Sequence, residues 1–115
     1  MIAYFLSPYR RDRSYDFPAR VCTMNDFTSA IHADGGSWSE SEIAGDQAVV
    51  KVSASSGTMA LIEAAGHRPL TRAEIPALLA TPRKAPTYDR QRDRVTLNGS
   101  EYPCKTLAQL DSEVR

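Results

Sequence analysis

The chain has 115 residues, 42% of them apolar and 24% charged, and its 14 basic and 14 acidic side chains leave no net charge. That length supports one domain with a single modest core, and no apolar run approaches the roughly 18 residues of a membrane-spanning helix. The charge is unevenly spread: residues 1–24 hold four arginines against two aspartates, residues 25–63 six acids against Lys51 alone, and residues 64–115 nine bases against six acids.

Met1 is followed at once by Ile2-Ala3-Tyr4-Phe5-Leu6, a short buried strand ended by Pro8. No basic leader precedes this run and no small-residue cleavage site follows it, so a secretory signal is not expected. An apolar terminus is held in order by a sheet or by a partner, which suggests a component of something larger. Arg10 to Ser14 forms a polar loop. Phe17 to Met24 reads as a second strand, with Phe17, Ala19, Val21 and Thr23 on one face and Pro18 confining it to an edge. Asp34-Gly35-Gly36-Ser37 is a loop offering φ > 0 at either glycine, with Trp38 directly beyond. Glu40 and Glu42 would share a face on a strand. The Ser-x-x-Glu box within Ser39 to Glu42 favours a capped helix start instead.

The clearest strand is Gln47 to Ala54, with Val50 and Val52 on one face and Val49 and Lys51 on the other. Ser55, Ser56 and Thr58 are N-cap candidates for a short helix from Met59 to Ala65, and Gly66 sits where a C′ glycine belongs. His67 then lies by the helix's negative end, which favours a cation. Thr71 and Glu74 form a capping box, Pro76 makes the helix kink or restart, and Leu78 and Leu79 form a packing patch. Residues 81–86 are an extended, proline-bearing linker. Val95-Thr96-Leu97, Asn98-Gly99 and Ser100-Glu101-Tyr102 make a β-hairpin with a type I′ turn. Thr106 and Gln109 form another box, opening a helix whose stripe is Leu107, Leu110 and Val114. The expected fold is a single α+β domain over residues 1–115: a mostly antiparallel sheet of about five short strands with two or three short helices.

No motif carries a chemistry by itself. Cys22 and Cys104 are 82 residues apart and read as reduced, buried thiols, with a disulfide left open. Cysteine–histidine catalysis would require one of them to meet His32 or His67, and neither lies in surroundings that lower a thiol pKa. The spacing of Cys22, His32, His67 and Cys104 does not suit zinc. Asp34-Gly35-Gly36 lacks the alternating acids of a calcium loop, and no phosphate-binding glycine loop is present. No catalytic residue, cofactor or metal is expected.

Two segments point to partners. Tyr4, Phe5, Tyr9, Tyr15 and Phe17 crowd the first 17 residues, and at strand spacing they do not all point inward. Beside Arg10 and Arg11 they have the composition of interface anchors. The stretch Arg83, Lys84, Arg90, Arg92 and Arg94, with Tyr88 inside it, offers arginines for phosphate and a ring for stacking. Asp89 and Asp93 interrupt it, and the arginines also read as the solvent face of an edge strand. The proposed contact residues are Tyr4, Phe5, Tyr9, Arg10, Arg11, Tyr15, Tyr88, Arg90, Arg92 and Arg94. The opposite-sign segments suit head-to-tail contact between copies, or neutralisation within the fold.

The opening Ala3-Tyr4-Phe5-Leu6-Ser7-Pro8-Tyr9 resembles the start of small proteins of the structural-gene modules of tailed bacteriophages and prophages. The strand Gln47 to Ala54, arriving soon after Trp38, is similar to such proteins too. The resemblance implies a non-enzymatic virion component that is capsid-decorating, head-completing or tail-associated. It would be assembled in the host cytoplasm and work by contact with copies of itself or with a neighbouring shell protein. It carries over no site residues. The alternatives are a small intracellular interaction or regulatory module, touching nucleic acid through residues 83–94, and a small enzyme with a site shared between subunits. No membrane partner is expected.

Overall fold

Valine-rich, alternating sequence beside a run that is apolar on both faces builds a sheet with two covered sides. The computed structural model describes residues 1–9, 21–43, 46–82 and 84–114. Strands β1 (Ile2–Pro8), β2 (Ser37–Ile43), β3 (Gln47–Ser53) and β4 (Arg68–Leu70) form an antiparallel sheet in the order β2-β3-β1-β4. Strands β5 (Thr87–Asp89), β6 (Arg94–Leu97) and β7 (Ser100–Pro103) form a second antiparallel sheet in chain order. Helices α1 (Thr28–Ala33), α2 (Ser56–Ala64), α3 (Ile75–Leu79) and α4 (Leu107–Val114) complete the described structure. The α+β class is as expected, with seven strands and four α-helices in place of about five and two or three.

The two faces of the larger sheet carry different layers. Phe5, Ala48, Val50 and Val52 face the main core, where Met24, Phe27, Ile31, Met59, Ile62 and Leu110 close over them from the helical side. Leu6, Ile43 and Val49 face the other way, against Ile75 and Leu78 of α3. A fully buried side chain of this size contributes roughly 1.5–3 kcal/mol, so both layers are held mainly by apolar area. The second sheet has its own cluster, Val21, Val95, Leu97, Tyr102 and Cys104.

Polar bonds join the two sheets. The Tyr102 hydroxyl donates to the Leu6 carbonyl (3.2 Å) and accepts from Gln47 Nε2 (2.9 Å). Asn98 Nδ2 reaches Asp46 Oδ1 (3.1 Å) and Gln47 Oε1 (3.0 Å), and its own Oδ1 accepts from the Lys84 amide at 2.9 Å. Asn98 therefore does more than turn the hairpin. Its φ of 48° and the 86° of Gly99 give the expected I′ geometry, and its amide then docks that hairpin on the first sheet.

Several local expectations hold. Ser55 caps α2, accepting from the Thr58 amide at 3.3 Å, and Gly66 follows the helix with φ 89°. A 3-10 turn at Arg72–Glu74 precedes α3, so the chain restarts at Pro76 in the first turn, where no amide hydrogen is needed. Glu74 closes the box by accepting from the Thr71 amide at 3.0 Å.

Others are corrected. Residues 17–20 lie outside the described residues, and Val21 to Met24 do not continue a strand. Thr23 instead leads into a 3-10 turn at Met24–Phe27, its amide donating to Asp26 Oδ2 at 2.8 Å. Ser37 to Ile43 is strand rather than helix start, because β3 offers a partner along its whole length, from Ser37 opposite Ser53 to Ile43 opposite Gln47. A complete ladder outweighs the local box. Cys22 and Cys104, as expected, are buried thiols with no disulfide between them, in separate clusters. Among the described residues, no helix is long and apolar enough to cross a membrane.

Gly36 is fixed by close approach: a Cβ there would stand 1.7 Å from the Ser53 carbonyl oxygen. Tyr102→Phe keeps the ring's packing but leaves the Leu6 carbonyl and the Gln47 amide without the hydroxyl that joins them. Urea unfolding should show a loss of about 1–3 kcal/mol.

Candidate interaction surface

The one histidine in the core decides what chemistry the interior can do. His67 is 1% exposed and Ser7 0%. The Cys22 carbonyl only accepts, so His67 Nε2 carries the proton toward it (3.0 Å), and Nδ1 accepts from the Ser7 hydroxyl at 3.0 Å. The rings of Phe27 and Tyr102 meet the imidazole edge-on, with centroids 5.5 and 6.0 Å away. Burial holds the imidazole pKa down at about 4, so His67 is neutral rather than the cation that its place after α2 favours. A serine–histidine pair sealed in this way ties β1 to the segment before α1.

The thiols are similarly placed. Burial first, and Asp26 second, push the Cys22 thiol up to about 11, and it donates to the Lys105 carbonyl at 3.3 Å. A protonated buried thiol is a poor nucleophile. Among the described residues, no three His, Cys, Asp or Glu side chains converge as a metal site.

The accessible surface is more informative. Between α1, α2 and α4 opens an apolar groove of about 680 Å³, walled by Ala30, Thr58, Leu61, Leu107, Ala108 and Val114. Val114 is 43% exposed at its end. Asp111 is the charged residue in the wall. Asp34 frames the start of α2, accepting from the Ser55 amide (3.1 Å), the Ser55 hydroxyl (2.9 Å) and the Thr58 hydroxyl. These bonds, that from Thr58 foremost, hold its carboxyl below the usual range. Among the described residues, the entry turn Met24–Phe27, α1, α2 and α4 carry Asp26, Glu63, Asp111 and Glu113 and no lysine or arginine. Lys105, just before α4, is paired with Glu113 at 2.7 Å. Among the described residues, the charges on this helical side are therefore mainly acidic.

Across the sheet the sign changes. Lys51, Arg68 and Arg72 belong to the side that α3 covers: Lys51 is opposite Tyr4, Arg68 is opposite Leu6, and Arg72 lies 5.9 Å from the Tyr4 ring centre. Glu74 answers Arg68 at 2.8 Å, and with the Thr71 amide as the largest cause its carboxyl is held down at about 2. From Ile75 to Tyr88 the sequence has no acid.

The residues proposed from sequence are scattered over this frame. Phe5 is buried in the main core and Tyr9 packs against that core, so neither ring stands free as an anchor. Tyr4 is half-buried beneath Arg72. Arg10, Arg11 and Tyr15 lie outside the described residues, as do Phe17 and Arg83. Arg90 and Arg92 stand in the turn between β5 and β6, and Arg94 starts β6, the central strand of its sheet. They are not the face of one edge strand. Arg92 is engaged by Glu101 in a two-pronged pair at 2.9 and 2.7 Å, and the Tyr88 hydroxyl donates to Asp93 at 2.6 Å. Glu40 and Glu42 share the helical side of β2, opposite Val50 and Ala48. Burial first, and Glu42 second, raise the Glu40 carboxyl.

The groove escaped sequence reading because α1 did. Thr-x-x-Asp from Thr23 to Asp26 was the available signal, a box announcing a helical entry just before Phe27 and Ile31. Comparison with protein-family models, with curated proteins and with solved structures finds no match.

The buried imidazole has a consequence for acid stability. Its folded-state pKa of about 4 lies below the ordinary 6.5, so the unfolded chain takes up the proton first as pH falls. His67's contribution is complete above about pH 6.5 and is lost progressively toward pH 4, amounting to about 3 kcal/mol. Urea titrations across that window should show the slope, and a flat profile would mean that His67 is not sealed.

Proposed function

We propose that this chain is a non-enzymatic structural protein that works by protein–protein contact, with the groove between α1, α2 and α4 as its main contact surface. The observation that carries this reading is the groove itself: an apolar opening of about 680 Å³ set in a layer whose described charges are mainly acidic. Apolar centres rimmed by charge suit partner recognition, the centre supplying affinity and the rim selecting the partner. The buried, hydrogen-bonded state of Ser7, His67 and Cys22 adds weight, because their chemistry serves the fold.

The resemblance of the opening segment supports a place in the tailed-phage particle, as a capsid-decorating, head-completing or tail-associated component. Tyr88, Arg90 and Arg94 of the second sheet supply a further contact in this reading, to a neighbouring shell protein.

Ala108 is exposed in the groove wall, so Ala108→Arg fills the opening with a cation at little cost to the helix. Quantitative mass spectrometry of purified particles should find the native protein and a strong depletion of Ala108→Arg, whose thermal unfolding is unchanged. Equal incorporation of the variant would reject the groove. Particles without the native protein would reject the virion placement.

A further inference from the structure

We propose that the occupant of the groove is α3 of a second copy, so that the protein assembles head to tail through opposite faces of its larger sheet. This rests on the protein-contact reading above and names the partner. Ile75 and Leu78 turn inward onto the sheet cluster, while Leu79 is 46% exposed with Pro76, Ala77 and Ala80 exposed around it. Arg72 precedes this apolar knob and Lys84 follows it, both exposed, in a stretch whose last acid is Glu74. An apolar protrusion with Arg72 beside it thus stands on one side of the sheet, and an apolar opening whose described surround is mainly acidic stands on the other.

Charge decides between this arrangement and a symmetric one. A two-fold contact of groove on groove would press together two layers whose described charges are Asp26, Glu63, Asp111 and Glu113 against Lys105. A two-fold contact of α3 on α3 would oppose Arg72, which lies over Tyr4 on that side, with its own copy. Like charges brought together are unfavourable, and opposite patches steer association. The pairing that satisfies both surfaces is heterologous, which leaves one free knob and one free groove at the ends of any chain of copies.

Sedimentation velocity over a rising concentration series tests this, with Leu79→Asp disabling the knob and Ala108→Arg the groove. The native protein should grow in average mass with concentration, and less so as salt is added. Each variant alone should stay monomeric. Their equimolar mixture should stop at a 1:1 heterodimer, because each retains the surface that the other lacks. Ala77→Glu on the same α3 face provides a second knob variant should Leu79→Asp fail to fold. A native protein that stays monomeric at every concentration overturns the proposal, as does a mixture that remains monomeric. If the native protein is monomeric while Ala108→Arg is still lost from particles, the groove binds a different chain, and only the head-to-tail inference fails. If the mixture dimerises while Ala108→Arg enters particles normally, the self-contact holds and the role proposed above for the groove fails.

Discussion

The structure turns on one neutral imidazole. His67 lies where β1, the segment before α1, and β7 come together, and it touches each of them: Ser7 through Nδ1, the Cys22 carbonyl through Nε2, Phe27 and Tyr102 through ring edges. Apolar area alone does not select one arrangement of two small sheets and four helices, since area is indifferent to direction. A buried ring with one donor and one acceptor is not indifferent. It requires a hydroxyl on one side and a carbonyl on the other, because a nitrogen left without its partner in the interior costs more than the bond itself returns. The sequence brings these groups from positions 7, 22 and 67, so satisfying the ring fixes long-range topology.

The Tyr102 hydroxyl does the same at the other junction, between the Leu6 carbonyl and the Gln47 amide. Both junctions use adjacent residues of β1. Leu6 gives a backbone oxygen toward the second sheet and Ser7 gives a side chain toward His67. The opening strand is therefore central in a literal sense. It pairs with β3 on one edge and β4 on the other, covers a core on each face, and anchors both polar links.

Much of this was legible locally and little of it globally. The Asn98-Gly99 hairpin, the Ser55 cap, the Gly66 stop, the Thr71–Glu74 box and the restart at Pro76 all follow from bonds made within a few residues, and sequence contains those in full. Glu40 and Glu42 show the opposite case. A Ser-x-x-Glu box signalled helix, but β3 supplied a complete ladder from outside the segment, and tertiary pairing overrode local chemistry. Tyr4 and Phe5 look alike as aromatic anchors in sequence. Alternation along β1 sends Phe5 into the core and leaves Tyr4 under Arg72, and nothing short of the register tells which. The groove was the least legible feature, because its walls come from three helices distant in the chain and one of those helices has no strong apolar period.

Charge is where the sequence and the fold meet most directly. The acid-rich stretch from residue 25 to 63 supplies the entry turn, α1 and α2, so most of its acids collect on the helical side. The base-rich remainder supplies β4, the Arg72 turn and the linker beyond α3. An antiparallel sheet of alternating side chains keeps the two apart, since residues facing opposite sides of a pleat do not neutralise one another at contact distance. Among the described residues, blocks of charge along the chain thereby become a charge difference across the sheet. A chain with no net charge thus presents, over its described residues, surfaces of opposite sign on opposite faces of its larger sheet.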